Sequence, residues 1–341
     1  MSNQPRMATP ERVLVLAFIC VLVLLFVWFE WKLIFLAFAG LLLALLLHTI
    51  TTWIQKRTHM GPGWSYVATL MLIAIVVVGA GVLIIPRAVT QVSQIATLLP
   101  QSIAQVKDFL EQKSWGEELL DMVHRGMRTM DLGSKVNAIT SAVVGGVADL
   151  IVIFVIGFFG ALNPEGYKRG VLNLFPVQHR ARMREIGNKL LDTLRWWMLG
   201  QMVPMAALGI ASMVALSLLG VRLAFTLGLL TGVMVFVPYV GTILAGIPSV
   251  LMALQRGPWT ALWVVILFSI FHVLEGYFLT PLVQKRAVRL PPVLTILAQF
   301  FMWSFAGILG VAIAAPLTAA VMVLTRELYL KPRDRGASLA S

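Results

Sequence analysis

Long uncharged runs alternate with short basic segments along the 341 residues of this chain. A helix rises about 1.5 Å per residue, so crossing a hydrocarbon core of about 30 Å takes roughly 20 apolar residues. Because an outer-membrane barrel would show short alternating strands instead, the pattern predicts an all-α integral membrane protein. The runs lie at 13–29, 33–50, 64–86, 150–164, 201–221, 223–254, 257–274 and 287–325, the last interrupted near its start by Arg289.

The composition excludes a soluble protein. Hydrophobic residues make up 59% of the chain and charged residues 12%, whereas a soluble chain carries roughly a quarter charged residues. The single cysteine, Cys20, excludes a disulfide framework and thiolate metal clusters. The net charge of +12 lies in short loops, where it reports membrane orientation rather than nucleic-acid binding. We expect 13–29 to be a retained span, because no small-residue cleavage signature follows it.

The chain divides into five predicted parts. An insert at 87–146, with six basic and six acidic residues, is too short to build a strong core of its own. We predict that it is helical, lies outside the cytoplasm, and packs on the membrane part or on a neighbouring subunit. The other parts are a three-span unit (1–86), the fourth and fifth spans (147–221) with a basic cytoplasmic amphipathic helix at 165–200, a C-terminal core (222–325) and a cytoplasmic tail (326–341).

The placement of Lys and Arg predicts the topology, because cytoplasmic loops carry their excess. Eight straight spans would put the cluster at 285–289 outside. However, 223–254 and 293–325 hold 32 and 33 residues, about 48 and 50 Å as continuous helices. If each is a re-entrant hairpin, Arg256 lies outside, and the cluster and both termini lie inside. We therefore predict six transmembrane helices plus two re-entrant helical hairpins from opposite faces; the alternative is two long, kinked helices.

Both predicted hairpins contain helix-breaking residues near their middle. Proline removes a backbone donor and glycine tolerates the torsions of a tight reversal. Freed backbone groups at membrane depth are tolerated only inside protein or beside a wet cavity, and paired broken segments typically mark a transporter site near the midplane. The predicted substrate-binding residues are Pro238, Tyr239, Gly241, Thr242, Gln299, Ser304, Gly307 and Gly310.

Two ionisable residues at membrane depth lie at i,i+3 on one helix, His272 and Glu275. Intramembrane ionisable residues are functional candidates by default, so we predict a coupling or a structural role; an interfacial Glu275 paired with Arg286 is the alternative. Gln201 is interpreted as a packing residue. The five histidines show no HExxH spacing, and neither a G-x-S-x-G elbow nor a P-loop occurs. We therefore predict no enzyme activity, cofactor or metal.

Three C-terminal stretches resemble the AI-2 exporter (AI-2E) family of bacterial inner-membrane transporters. They are VPYVGTILAGIPSVLMAL (237–254), EGYFLTPLVQKRAVRLPPVLTIL (275–297) and FAGILGVAIAAPLTAAVMVL (305–324). The resemblance implies a homopentamer of independently working subunits, an elevator-type movement and export of autoinducer-2, a small polyhydroxylated furanone-type signal. Some relatives are associated with sodium or lithium–proton antiport. Leu290-Pro291-Pro292 stands where members often carry a polar residue before a single proline.

Three hypotheses follow for a multi-pass protein of the bacterial inner membrane with cytoplasmic termini. The first is a secondary exporter of a small polar solute, with an autoinducer-2-like molecule as a candidate. The second is a Na⁺(Li⁺)/H⁺ antiporter. The third is a non-transport scaffold assembled through 87–146. The expected partners are the lipid bilayer, the solute, Na⁺ or H⁺ and other copies of the chain, and not nucleic acid.

Overall fold

The structure, a computed structural model, describes residues 30–75, 78, 79, 81, 82, 132–281 and 290–330, with the backbone alone at 132–144. The predicted span 13–29, the end of run 64–86, most of the insert, the basic cluster 285–289 and the end of the tail lie outside the described residues. The described part is helical and contains no strand. Five of its helices are long and apolar enough to cross a membrane. The chain is therefore a multi-pass helical membrane protein.

The first helices hold the N-terminal half together. They are α1 (Trp31–Thr58), α2 (Pro62–Ile75), α3 (Leu132–Leu162) and α4 (Pro164–Asn173). Helices α1 and α3 approach closely at Gly40 and Gly157, where a Cβ atom would lie 2.7 Å from the Cβ of Ile156 and 2.8 Å from Leu43, respectively. Small residues at such crossings let the helix backbones approach. Helix α3 runs across position 146, where the sequence divides the insert from the fourth span.

The second half of the basic segment and the fifth span form one helix, α5 (Arg180–Leu218). Its charged part ends at Arg195, and an uncharged run follows from 196 to 221. The predicted single helix over 165–200 is interrupted, because α4 ends at Asn173 and α5 begins at Arg180. Gln201, near the start of the uncharged part, is 5% exposed.

The predicted break in 223–254 is present. Helices α6 (Ala224–Met234) and α7 (Val240–Leu254) are separated by a turn in which Tyr239 has a φ of 67°. After α7 the guanidinium of Arg256 donates a hydrogen bond to the carbonyl of Gly220, which directly follows α5. The chain thus leaves the end of α5 and returns to it. We call Ala224–Leu254 the first broken segment.

The predicted break in 293–325 lies at Gly307, inside α9 (Pro292–Thr325), where φ is 53° and ψ is −135°. Gly310 is helical and lies directly against the carbonyl oxygen of Met302. In a continuous helix these two residues would be about 12 Å apart. The backbone of α9 therefore turns sharply at Gly307, which brings its two arms into contact. We call Pro292–Thr325 the second broken segment.

Helix α8 (Pro258–Leu274) connects the two broken segments and widens into a π-helical turn at Glu275–Leu279. Such turns are rare and are frequent at functional sites. After the second broken segment the carboxylate of Glu327 lies 3.2 Å from Nζ of Lys189, on the basic part of α5. The far end of α9 is thereby placed beside the basic part of α5.

Candidate functional site

The non-helical residues between α6 and α7 expose backbone groups that a helix would satisfy. Val235 and Pro238 have carbonyls at this break, and Tyr239 has an N–H group. We call Val235–Thr242 the polar turn. Lipid cannot hydrogen-bond such groups, so they need partners within the protein or in a wet cavity.

Glu275 supplies the first partner from the start of the π-helical turn. Its side chain is 1% exposed. One carboxylate oxygen accepts the backbone N–H of Tyr239 at 3.0 Å, and the other accepts the hydroxyl of Thr242. Hydrogen bonds to a carboxylate are roughly twice as strong as neutral ones. The carboxylate is therefore enclosed by the protein and holds the polar turn, whereas Arg286, its partner in the alternative, lies outside the described residues.

Two glutamine amides supply the other partners. Nε2 of Gln201 donates to the carbonyl of Val235 at 2.7 Å, and Nε2 of Gln299 donates to the carbonyl of Pro238 at 3.0 Å. Gln299 is 2% exposed. Side chains from α5, α8 and α9 thus meet on one turn. The protein's own amides therefore bind both of these carbonyls.

Unpaired polar atoms and a small cavity remain around this turn. Oε1 of Gln299 and Nδ1 of His272 are buried and have no hydrogen-bond partner among the described residues. A cavity of about 10 Å³, enough for about one water molecule, lies at the turn. Its lining comprises Trp197, Gln201, Pro238, Tyr239, Thr280, Leu290, Thr295 and Ala315. The unpaired amide oxygen can accept a hydroxyl proton or coordinate a cation.

The polar turn lies near the basic end of α5. Gln201 follows Arg195 by six residues, about 9 Å of helix, and precedes Arg222 by 21 residues, about 32 Å. Along α5 the polar turn is therefore closer to the basic end than to the other end, and on α1 it packs near residues 38–46. The first broken segment extends along almost the whole uncharged length of α5 before it turns.

The structure separates the predicted site residues into two groups. Pro238, Tyr239, Thr242, Gln299 and Glu275 come together at the polar turn. Gly241 lies there too, directly against the carbonyl of Met234. The reversal of the second broken segment lies elsewhere.

The break at Gly307 lies beside the first residue of α1. The ring of Phe305, two residues before Gly307, is 6.3 Å from that of Trp31, the first residue of α1. Ser304 is exposed. Ser304 and Gly307 therefore lie beside the start of α1, and Gly310 lies against Met302, whereas the polar turn is contacted by Gln299.

Sequence reasoning missed part of the site. Gln201 was interpreted as a packing residue, although it is the only amide in the uncharged run 196–221, a signal that could have found it. Thr280 and Thr295 line the cavity but carry no distinctive sequence pattern. Among the described residues, no group of three or more His, Cys, Asp or Glu side chains could hold a metal ion.

These features define a class: a multi-pass helical membrane protein with two broken segments and a buried polar site where three elements meet. The chain belongs to the AI-2E family transporters, whose family model matches residues 17–329. It is 25% identical to YueF of Bacillus subtilis over 270 residues, which are 73% of each chain. It is 22% identical to sll0060 of Synechocystis, covering 82% of this chain and 83% of that protein. It is also 28% identical to the AI-2 transport protein TqsA of Escherichia coli, over 120 residues that are 35% of each chain. The resemblance to the family is confirmed.

Proposed function

We propose that this chain is a secondary transporter that exports a small polar solute across the bacterial inner membrane, with the polar turn as part of its substrate site. The observation that carries this proposal is the convergence of Gln201, Glu275 and Gln299 on the polar turn. Buried polar side chains in a membrane protein are expensive and mark transport pathways. Family membership supports the same activity.

Both broken segments act as re-entrant hairpins in this proposal. The bond between Arg256 and Gly220 and the contact between Gly310 and Met302 support it. The first hairpin enters from the outer face and the second from the cytoplasmic face, with both chain termini in the cytoplasm. The polar turn then lies near the cytoplasmic face, where it can receive a solute for export. Family resemblance supports a homopentamer and an elevator-type movement of the core.

The substrate that we propose is a small hydroxylated molecule, with an autoinducer-2-like furanone as the first to test. The name of TqsA gives AI-2 as what that protein transports. At the polar turn the unpaired Oε1 of Gln299 is an acceptor, which suits a hydroxyl donor.

A second function, Na⁺(Li⁺)/H⁺ antiport, is favoured by one observation. The carboxylate of Glu275 is buried, and none of the described Lys or Arg residues pairs with it. A carboxylate in this setting can exchange a proton for a cation. Reconstituted vesicles, assayed with furanone signals, sodium and lithium under an imposed proton gradient, distinguish the two functions.

Replacing Gln201 or Gln299 by leucine is expected to lower transport about tenfold. Gln201→Leu leaves the carbonyl of Val235 without its donor, and an unpaired buried group costs about 1–3 kcal/mol. Gln299→Leu removes the link between α9 and the carbonyl of Pro238, which keeps the N–H of Val240 as a donor. The measurement is initial flux in vesicles at matched protein content. Gln255→Leu is the matched control, because Gln255 is exposed at the end of α7.

Unchanged flux in both variants would refute the role of the polar turn. If none of the tested solutes or cations moved through the parent protein in the same vesicles, the scaffold hypothesis would be favoured instead.

A further inference from the structure

A second cavity, lined by different residues from the cavity at the polar turn, lies between α1 and α5. It has a volume of about 390 Å³ and is lined by Thr49, Ile50, Thr52, Trp53, Lys56, Arg195 and Leu199. Pockets that bind small molecules measure about 300–1,000 Å³. It shares no lining residue with the cavity at the polar turn. We call it the basic groove.

The charge of the basic groove is positive. Lys56 and Arg195 are its charged lining residues, both are exposed, and neither has an ion pair or a hydrogen bond with any residue in the described part of the chain. Lys168 adds a cation nearby, since its charge and that of Arg195 both act on His48. Two acids lie nearby: Glu165 is paired with Lys168 at 2.8 Å, and Asp192, three residues before Arg195 on α5, forms no ion pair with it. The groove therefore offers two uncompensated cations.

The basic groove lies at the boundary between the apolar and the basic parts of both helices. Lys56 directly follows 33–55, which contains no Asp, Glu, Lys or Arg, and Arg195 directly precedes the uncharged run 196–221. Trp53, at the rim, is 65% exposed, as is typical of aromatic residues at a membrane interface. Away from the cations the wall is apolar, at Ile50 and Leu199. The groove therefore combines cationic side chains at its opening with an apolar wall, at the boundary where lipid headgroups lie.

We infer that the basic groove binds an anionic phospholipid. Its phosphate lies between Lys56 and Arg195, and one acyl chain lies along Ile50 and Leu199. Basic pockets between transmembrane helices on the cytoplasmic side hold anionic headgroups, and the guanidinium of arginine matches a phosphate in geometry. A free anion would leave the apolar wall of the groove without a partner. The inference depends on the membrane class of the protein and does not depend on the identity of its substrate.

The test uses full-length protein, purified in detergent and delipidated, with phosphatidylglycerol added. Native mass spectrometry counts the bound lipids, and a thermal shift measures the stabilisation. We expect Lys56→Gln/Arg195→Gln to weaken phosphatidylglycerol binding by at least about tenfold, since each basic residue near a membrane surface contributes to anionic-lipid affinity. Phosphatidylcholine should bind parent and variant equally weakly.

The matched control is Arg57→Gln/Arg184→Gln, which removes the same charge from exposed positions on α1 and α5 that do not line the groove. This control should bind phosphatidylglycerol like the parent, and equal losses in both double variants would overturn the inference. So would equal stabilisation by inorganic phosphate alone, which would indicate a free-anion site. A cross-link between copies through Trp53→Cys would also overturn it, because a second copy would then cover the groove. In phosphatidylcholine the parent and both double variants should have the same unfolding temperature, which would show that the variants fold.

Discussion

Replacing Glu275 by leucine is expected to abolish transport. The change leaves two buried donors, the N–H of Tyr239 and the hydroxyl of Thr242, without an acceptor. Each unpaired buried group costs about 1–3 kcal/mol, and about 1.4 kcal/mol corresponds to a factor of ten. The polar turn should therefore lose its closed arrangement, and flux in reconstituted vesicles should fall at least about tenfold. A lower unfolding temperature in detergent should accompany the loss.

The variant Glu275→Gln distinguishes two roles of the carboxylate: accepting the hydrogen bonds of the polar turn, and carrying a charge that titrates. The amide oxygen can still accept from Tyr239, and the amide N–H can donate to the hydroxyl of Thr242, which is both donor and acceptor. A solute carrier without proton coupling should retain its flux in this variant within a few-fold. An antiporter should lose its sodium- or lithium-dependent proton flux entirely, because a glutamine does not titrate.

The control for both variants is Asp192→Leu, since Asp192 is exposed on the basic part of α5. Its flux and unfolding temperature should match those of the parent. If Glu275→Leu transported every tested solute at the parent rate, the carboxylate would have no role in the site.

Replacing Gly241 or Gly310 by alanine should have the second largest effect on flux and unfolding temperature. In Gly241→Ala the new Cβ would overlap the carbonyl of Met234, and in Gly310→Ala it would overlap that of Met302. Backbone cannot rotate away as a side chain can, so we expect each turn to open, at a cost of about 1–3 kcal/mol or more. Both variants should show reduced flux and lower unfolding temperatures.

Gly187→Ala is the matched control for the glycine variants. No atom lies within 4 Å of the position its Cβ would take, and alanine is the better helix former by about 1 kcal/mol. This variant should be as active as the parent and at least as stable. Parent-like stability of Gly241→Ala and Gly310→Ala would instead contradict the close backbone contacts.

The two breaks were predictable from sequence because their causes are local. Pro238 lies at the first break and Gly307 at the second, each inside a run too long for one span. The return of the chain to the end of α5 was predictable as well. A re-entrant 223–254 places Arg256 outside and the cluster 285–289 inside, and this placement agrees with the excess of Lys and Arg in cytoplasmic loops. Local backbone chemistry and charge placement carry this information without any knowledge of tertiary contacts.

Which residues form the site was only partly predictable, because this depends on how the arms of the two broken segments are aligned along each other. We expected the two reversals to meet, but the residue that contacts Pro238 is Gln299, in the first arm of the second broken segment. Ser304 is next to Phe305, whose ring contacts Trp31 at the start of α1. The depth of a reversal follows from the packing of the arms along α5 and α1, which is a long-range property.

Side-specific cysteine labelling tests the central claim most directly, that 223–254 is a re-entrant hairpin carrying the polar turn. In a Cys20→Ser background, single cysteines replace Arg222 and Arg256 on the proposed outer side, and Lys56 and Lys285 on the cytoplasmic side. An impermeant maleimide added to intact cells with a permeabilised outer membrane should label positions 222 and 256 alone, and positions 56 and 285 only after lysis. Labelling of position 256 only after lysis, together with positions 56 and 285, would show that the segment crosses the membrane once and would contradict the account.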